Sequence, residues 1–418
     1  MYRHLITLAS VALLAASAGA PATSFAASPS TPTASPGASA SPGASASPGA
    51  SASPGASASP AWRQSPAQAS LTDLQLHLVV WTGARFIAAG SGTAGSTFLD
   101  SSDGLTWHRQ APLEGDTAVE GLAVGPAGVM AVGQRGTRAA SWTSTDGLTW
   151  MAAPDAPSLR GVSRDTVSMR GVTAGASGWL AVGQEDAPCQ VDCDSAALRA
   201  LVWTSGDGLS WKREPRAQAL ANAAMTGVVR GGPGYVAVGR GSGVPATGGT
   251  STIHAMVWTS ADGRSWSALA DQADFHPPQG TDQTFGAGMS AVATDGPRLV
   301  AVGSVATQDG PGSALAWWSS DGVTWAEGEG DRFLFGQLFS VTTATGGFLA
   351  TGPSGPDSCL GGIWGSSDGA AWLCLADDPS FAGFSAYAAA ASPDVELVVG
   401  FGDPSGGSAA AVWLRNVR

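Results

Sequence analysis

Ser101-Ser-Asp-Gly-Leu-Thr-Trp107 returns five more times along the chain, as Ser144–Trp150, Ser205–Trp211, Ser260–Trp266, Ser319–Trp325 and Ser366–Trp372. Each copy sets Asp beside Gly between two apolar runs. That dipeptide is a strong hairpin signal, because the turn needs positive φ and glycine takes it freely. A second motif, an apolar stretch closing on glycine, ends at Gly90, Gly133, Gly183, Gly239, Gly303, Gly352 and Gly400, with spacings of 43, 50, 56, 64, 49 and 48 residues. A unit of this length holds four short strands and their turns. Strand A is a small-residue run such as Gly121–Val124, and a tight Gly125-Pro-Ala-Gly128 turn leads into strand B, the run that ends in glycine. Strand C carries a Trp four residues before the box aspartate (Trp142, Trp203, Trp258, Trp317, Trp364). Strand D is expected to end at the box Trp.

The two ends of the chain decide the count. The last unit has strands A to C, with Trp413 on strand C, and stops at Arg418 without a strand D. At the other end, Trp62-Arg-Gln-Ser-Pro66 matches Trp107-His-Arg-Gln-Ala-Pro112, the strand D of the first unit. The expectation is an all-β, seven-bladed β-propeller of four-stranded antiparallel blades over residues 61–418. The Trp62 segment then completes the C-terminal blade and removes its open edge.

The repeated Ser-x-Asp-Gly-x-Thr-Trp resembles the Asp-box, or BNR repeat, of sialidase-like β-propellers, and the likeness runs from about residue 61 to 418. The usual box has one more residue between Asp and Trp, which all six copies here lack. The resemblance implies the architecture, whereas such boxes occur in hydrolases, lectin-like domains and assembly factors alike.

Composition agrees with an all-β chain. Of 418 residues, 12% are charged and 44% hydrophobic, with 58 Gly and 16 Trp. The formal net charge is -12 and Lys212 is the single lysine, which argues against nucleic acid and anionic membrane as partners. Residues 1–26 read as a signal peptide: a basic start, then an apolar run from Leu5 to about Ala18 that is too short to span a bilayer. Residues 27–60 are a low-complexity Ala/Ser/Pro/Gly linker in which proline recurs every six residues from Pro36 to Pro60. The expectation is a monomer that is secreted or associated with the cell envelope.

The repeated aspartates Asp103, Asp146, Asp207, Asp262, Asp321 and Asp368 read as turn-builders, because one active site needs one asymmetric set of groups. Cys189 with Cys193, and Cys359 with Cys374 flanking the sixth hairpin, read as two local disulfides in an exported protein. No cofactor or metal is expected; the acidic loop holding Asp186, Asp192 and Asp194 could hold calcium, and a solvated loop is the plainer reading.

Length variation is confined to segments 151–168, 184–200, 240–255, 267–287 and 326–337, which places a recognition surface on one face. Twelve residues before each strand-B glycine stands a small residue, and the residues just ahead of that row are Glu120, Arg170, Thr226, Ser290, Phe339 and Tyr387, with His77 in the first unit. These form a candidate binding rim around the central channel. The favoured reading is a non-catalytic binding module for a glycan, envelope polymer or protein. A sialidase-like hydrolase needs three arginines, a Tyr activated by a carboxylate and a separate acid; Tyr387, Glu120 and Arg170 supply parts of that set only. A structural or assembly platform is the third reading.

Overall fold

The computed structural model describes residues 61–162, 165–186, 198–243, 252–276, 284–307, 310–333, 336–353, 358–402 and 409–417. The expected signal peptide 1–26 and linker 27–60, the Cys189–Cys193 pair, Asp192 and Asp194 lie outside the described residues. The described chain is all-β apart from single 3-10 turns, and among those residues no helix is long and apolar enough to cross a membrane.

Strands Leu74–Trp81, Phe86–Gly92, Gly95–Ser101 and His108–Arg109 form a four-stranded antiparallel sheet in chain order. The same order repeats in the sheets that begin at Thr117 and Thr166. From Ala223 to Cys374 three further up-and-down groups follow, joined at their flanks by short parallel bridges, Ile253 to Gly286 and Glu329–Gly330 to Ala371–Trp372. The final sheet takes strands from both ends of the chain. Ser385–Ala391, Val395–Phe401 and Ala410–Asn416 are completed by Arg63–Gln64, with Gln64 opposite Trp413 and Arg63 opposite Leu414.

The apolar core is divided among the junctions between successive sheets. Phe98 and Ala89 of the first sheet meet Val119 and Trp142 of the second, and each following junction has its own cluster. The last sheet meets the first, where Leu397, Val399 and Val412 pack against Leu74, Leu76 and Trp107. Strand-C tryptophans supply much of this filling; Trp203, Trp258, Trp317 and Trp364 have no exposed surface. An indole that buries roughly 200 Å² contributes about 5 kcal/mol before entropic costs, at about 25 cal/mol per Å².

The box is a turn, and the outermost strand follows it. Strand D was expected to end at the box Trp; instead it starts just after, at His108–Arg109, Met151–Ala152, Lys212–Arg213 and Ser267–Ala268, and is two residues long in these four sheets. The reason lies in the box's own hydrogen bonds. Asp321 Oδ1 accepts from the amides of Val323 and Thr324, both at 2.7 Å, while Ser319 Oγ accepts from the Gly322 amide at 2.8 Å and donates to Asp321 at 3.0 Å. These amides are spent inside the turn, so they cannot join a ladder. Glycine is favoured there by its positive φ, 77° at Gly208, a backbone conformation that L side chains rarely adopt. Such short outer strands leave little edge for another chain to pair with.

Candidate functional site

In six of the seven sheets the first strand is irregular at a matching point, and there the irregularity falls on the predicted rim; the first strand of the sixth, Ser340–Ala344, pairs without a shift. The register shifts between Leu76 and Leu78, Val119 and Gly121, Met169 and Gly171, Met225 and Gly227, Met289 and Ala291, and Ala386 and Ala388. The residues left over are His77, Glu120, Arg170, Thr226, Ser290 and Tyr387. A β-bulge gives one strand an extra residue and re-aims its side chain. Phe339 stands directly ahead of the strand Ser340–Ala344, with its amide bonded to Thr351 O.

The strand-B glycine stands beside the bulge. Gly183 lies opposite Met169, the residue just before the bulge, and a Cβ on it would stand 2.0 Å from Ser168 O. Gly133, Gly239, Gly303 and Gly400 meet the matching carbonyls at 1.9 to 2.0 Å. In these five sheets the conspicuous glycine is the partner of a bulge, while a Cβ on Gly352 would meet Gln337 O at 1.7 Å in the sheet without a shift.

Bulge residues reach the neighbouring sheet. His77 Nε2 lies 2.9 Å from Val119 O, and burial pushes its imidazole below the ordinary value, with the carbonyls of Val119 and Gln75 opposing. Thr226 Oγ1 donates to Met289 O at 2.7 Å. Glu120 Oε2 lies 3.2 Å from Arg170 Nε, with the Glu120 side chain 6% exposed. The first strands are also close in space: a Cβ on Gly171 would meet Gly227 Cα at 3.0 Å, which is why small residues follow the bulges.

Two chemically distinct arcs result. On one, burial pushes the Glu120 carboxyl upward; the Arg170 guanidinium pulls it back and the Asp186 carboxylate adds to the rise. Arg240 shares this group, held below its ordinary value by burial and by the like charge of Arg170, with Asp186 opposing. Gln184 donates to both Asp186 oxygens, at 3.0 and 2.9 Å. On the other arc, the Phe339 ring centre lies 5.1 Å from that of Tyr387, which lies 5.2 Å from that of Phe401, all three half-buried. Burial raises the Tyr387 phenol.

Gln184, Arg240 and Phe401 were not read as site residues from the sequence. The signal was present: each directly follows a strand-B glycine, Gly183, Gly239 or Gly400, and so stands beside a bulge. Asp186 was read only as a calcium candidate; among the described residues no group of three His, Cys, Asp or Glu is arranged to hold a metal. Ser290 occupies its bulge and has no charged or aromatic partner of this kind among the described residues.

The cysteines that fall within the described residues form one disulfide, Cys359–Cys374. Cys374 lies on a strand, as expected, whereas Cys359 lies ahead of the strand Ile363–Ser366 rather than on it.

No protein-family model matches the sequence, and no curated protein matches it. Solved structures are similar at low identity. Trypanosoma rangeli sialidase is 14% identical with a TM-score of 0.43, over 82% of this chain and 55% of that one. The Niastella koreensis GH74 enzyme is 13% identical with a TM-score of 0.44, over 80% of this chain and 51% of that one. A structure described as a glycoside hydrolase is 11% identical with a TM-score of 0.40, over 84% of this chain and 89% of that one. This chain spans about half the length of the sialidase chains it matches.

Proposed function

We propose that the sheets are the seven blades of a propeller and that its bulge row forms a glycan-binding mouth on an exported, non-catalytic module. The observation that carries this reading is the pairing of two arcs at equivalent positions. Half-buried aromatic faces, Phe339, Tyr387 and Phe401, suit the apolar face of a sugar ring, and the polar groups of Glu120, Arg170, Asp186 and Arg240 suit its hydroxyl and acidic groups. Sialidase chemistry needs a tyrosine activated by an adjacent carboxylate. The ring contacts of Tyr387 are Phe339 and Phe401, and burial is the cause of the upward shift of its phenol.

Glycoside hydrolysis is the second reading, and Glu120 favours it: a buried carboxyl pushed upward, with a second carboxylate close enough to act on it, is the character of a general acid. Calorimetric titration of the full chain with a panel of neutral and acidic oligosaccharides, with product release followed in the same samples, tests both. Binding without turnover supports the binding module. Turnover abolished by Glu120→Gln replaces it with the hydrolase.

A further inference from the structure

In the third sheet two donors meet on one oxygen. The Trp203 indole Nε1 donates to Ser158 O at 2.8 Å, and Arg213 Nε donates to the same oxygen at 2.9 Å. The Arg213 guanidinium lies 5.6 Å from the Trp203 ring centre. Ser158 sits in the 3-10 turn Pro157–Leu159 that precedes this sheet. Trp258, Trp317 and Trp364 likewise donate to main-chain oxygens ahead of their own sheets, those of Ala219, Asp274 and Asp331.

The second sheet sets an indole beside a guanidinium without the oxygen, the guanidinium coming from the end of the strand Gly128–Arg135, since the outer-strand residue opposite Trp142 is Ala152. Trp142, the equivalent strand-C indole, is 2% exposed, and the Arg135 guanidinium lies 6.0 Å from its ring centre. No 3-10 turn stands between His108–Arg109 and Thr117–Gly125 to offer a carbonyl. Trp142 Nε1 and Arg135 Nε are both buried and have no acceptor among the described residues. Thr117, directly opposite Arg135 in the ladder, has a hydroxyl in the same condition. On the other side of Arg135 in the ladder, Arg138 pairs with Asp155, which Arg160 also engages. A cavity of ≈ 30 Å³ opens here, lined by Arg135, Arg138, Trp142, Asp155 and Leu159 among others.

Indole and guanidinium N–H groups can only donate, so what completes this site must accept. Buried donors left without partners are rare in folded proteins. The permanent charge of Arg135 favours an anionic acceptor over a neutral one, and the Asp155 carboxylate is already held by two arginines. We propose that Arg135 and Trp142 form an oxyanion-binding site. A carboxylate or sulfate group, free or carried on a larger molecule, supplies the oxygen that Ser158 supplies to Trp203 and Arg213. The site stands on other residues than the bulge row, and it holds or fails independently of the glycan reading.

The test uses the full chain at constant ionic strength made up with chloride. Sodium sulfate and sodium acetate are titrated separately, with tryptophan fluorescence and melting temperature as readouts and near-UV circular dichroism to confirm folding. The wild type is expected to show saturable binding of one of the two, the preferred ion showing which group the site is built for. Arg135→Gln and Trp142→Phe, the latter keeping an aromatic ring and removing the N–H, are each expected to weaken binding by roughly tenfold or more. Thr117→Val is nearly isosteric and gives a smaller loss, and Arg230→Gln, at an exposed position two sheets away, changes nothing. Absence of saturable binding in the folded wild type, or binding that survives both Arg135→Gln and Trp142→Phe, overturns the proposal.

Discussion

Glu120 and Arg170 sit at matching register breaks on the first strands of neighbouring sheets, with Oε2 and Nε 3.2 Å apart. Burial raises the Glu120 carboxyl above its ordinary 4.5, so the folded protein keeps that proton to a higher pH than the unfolded chain does. The stability this group confers is fully present below the unfolded value and is lost as pH rises through the folded one. Melting curves of wild type and Glu120→Gln between pH 4 and 8 should therefore converge at the acid end, the wild type losing more as pH rises. Arg170→Gln should steepen that loss, since it removes the charge opposing the shift. Parallel curves for the three proteins would show that the pair is not coupled.

The box aspartates act in the opposite direction and at lower pH. Hydrogen bonds from the amides of Ser210 and Leu209 hold Asp207 at about 2, against an ordinary 3.8, and Asp146, Asp262 and Asp321 are lowered by the equivalent amides. Their contribution is present above the unfolded value and disappears as pH falls through the folded one, so acid unfolding should concentrate between about pH 4 and pH 2. Asp321→Ala should cost about 1 kcal/mol at pH 7 in urea denaturation, the scale of a lost capping side chain. A substitution without effect would mean that the turn holds without its aspartate.

Ring closure depends on few bonds. Ser65 N donates to Val412 O at 2.8 Å, next to the Gln64–Trp413 pair, and the Trp62 ring lies 4.9 Å from the Arg415 guanidinium. Ser65→Pro removes that donor and should loosen the short strand, exposing the edge of Ala410–Asn416. A lower melting temperature with concentration-dependent aggregation is the expected result. Wild-type melting in this variant would show that the N-terminal strand is dispensable.

Cys359 and Cys374 close a loop with a sequence separation of 15. A loop of about that length restricts the unfolded chain by about 3 kcal/mol. The double Cys359→Ala, Cys374→Ala variant should lose about that much in chemical denaturation, and reductant should bring the wild type to the same midpoint. An unchanged midpoint in both would remove the disulfide from the stability account.

The fold was legible because its rules are local and repeated. Strand-B glycines announce themselves in every unit, Asp-Gly turns in all but the last and strand-C tryptophans in all but the first, and even the N-terminal strand was found by matching Trp62-Arg63-Gln64 to Trp107-His108-Arg109. The box misled in one respect: its alternation reads as strand, yet its amides are consumed by Asp and Ser side chains, so the ladder resumes only after the Trp. The bulge row was located by counting, whereas the bulges themselves were not foreseen. Arg240 and Phe401 were missed because only three-dimensional pairing sets the residue after a glycine beside a bulge. Likewise, nothing in the sequence around Trp142 reveals that its indole lacks the carbonyl that Trp203 enjoys, since that contrast depends on a turn between sheets.

The proposed role of the bulge row is to bind sugar without cleaving it. The most direct measurement titrates the full chain with an oligosaccharide panel while following both heat and product, in wild type, Tyr387→Ala and Arg170→Gln. Saturable binding in the wild type with no product is expected, weakened roughly tenfold or more when either the aromatic arc or the charged arc is altered. Product formation that vanishes in Glu120→Gln, or binding indifferent to both arcs, would contradict it.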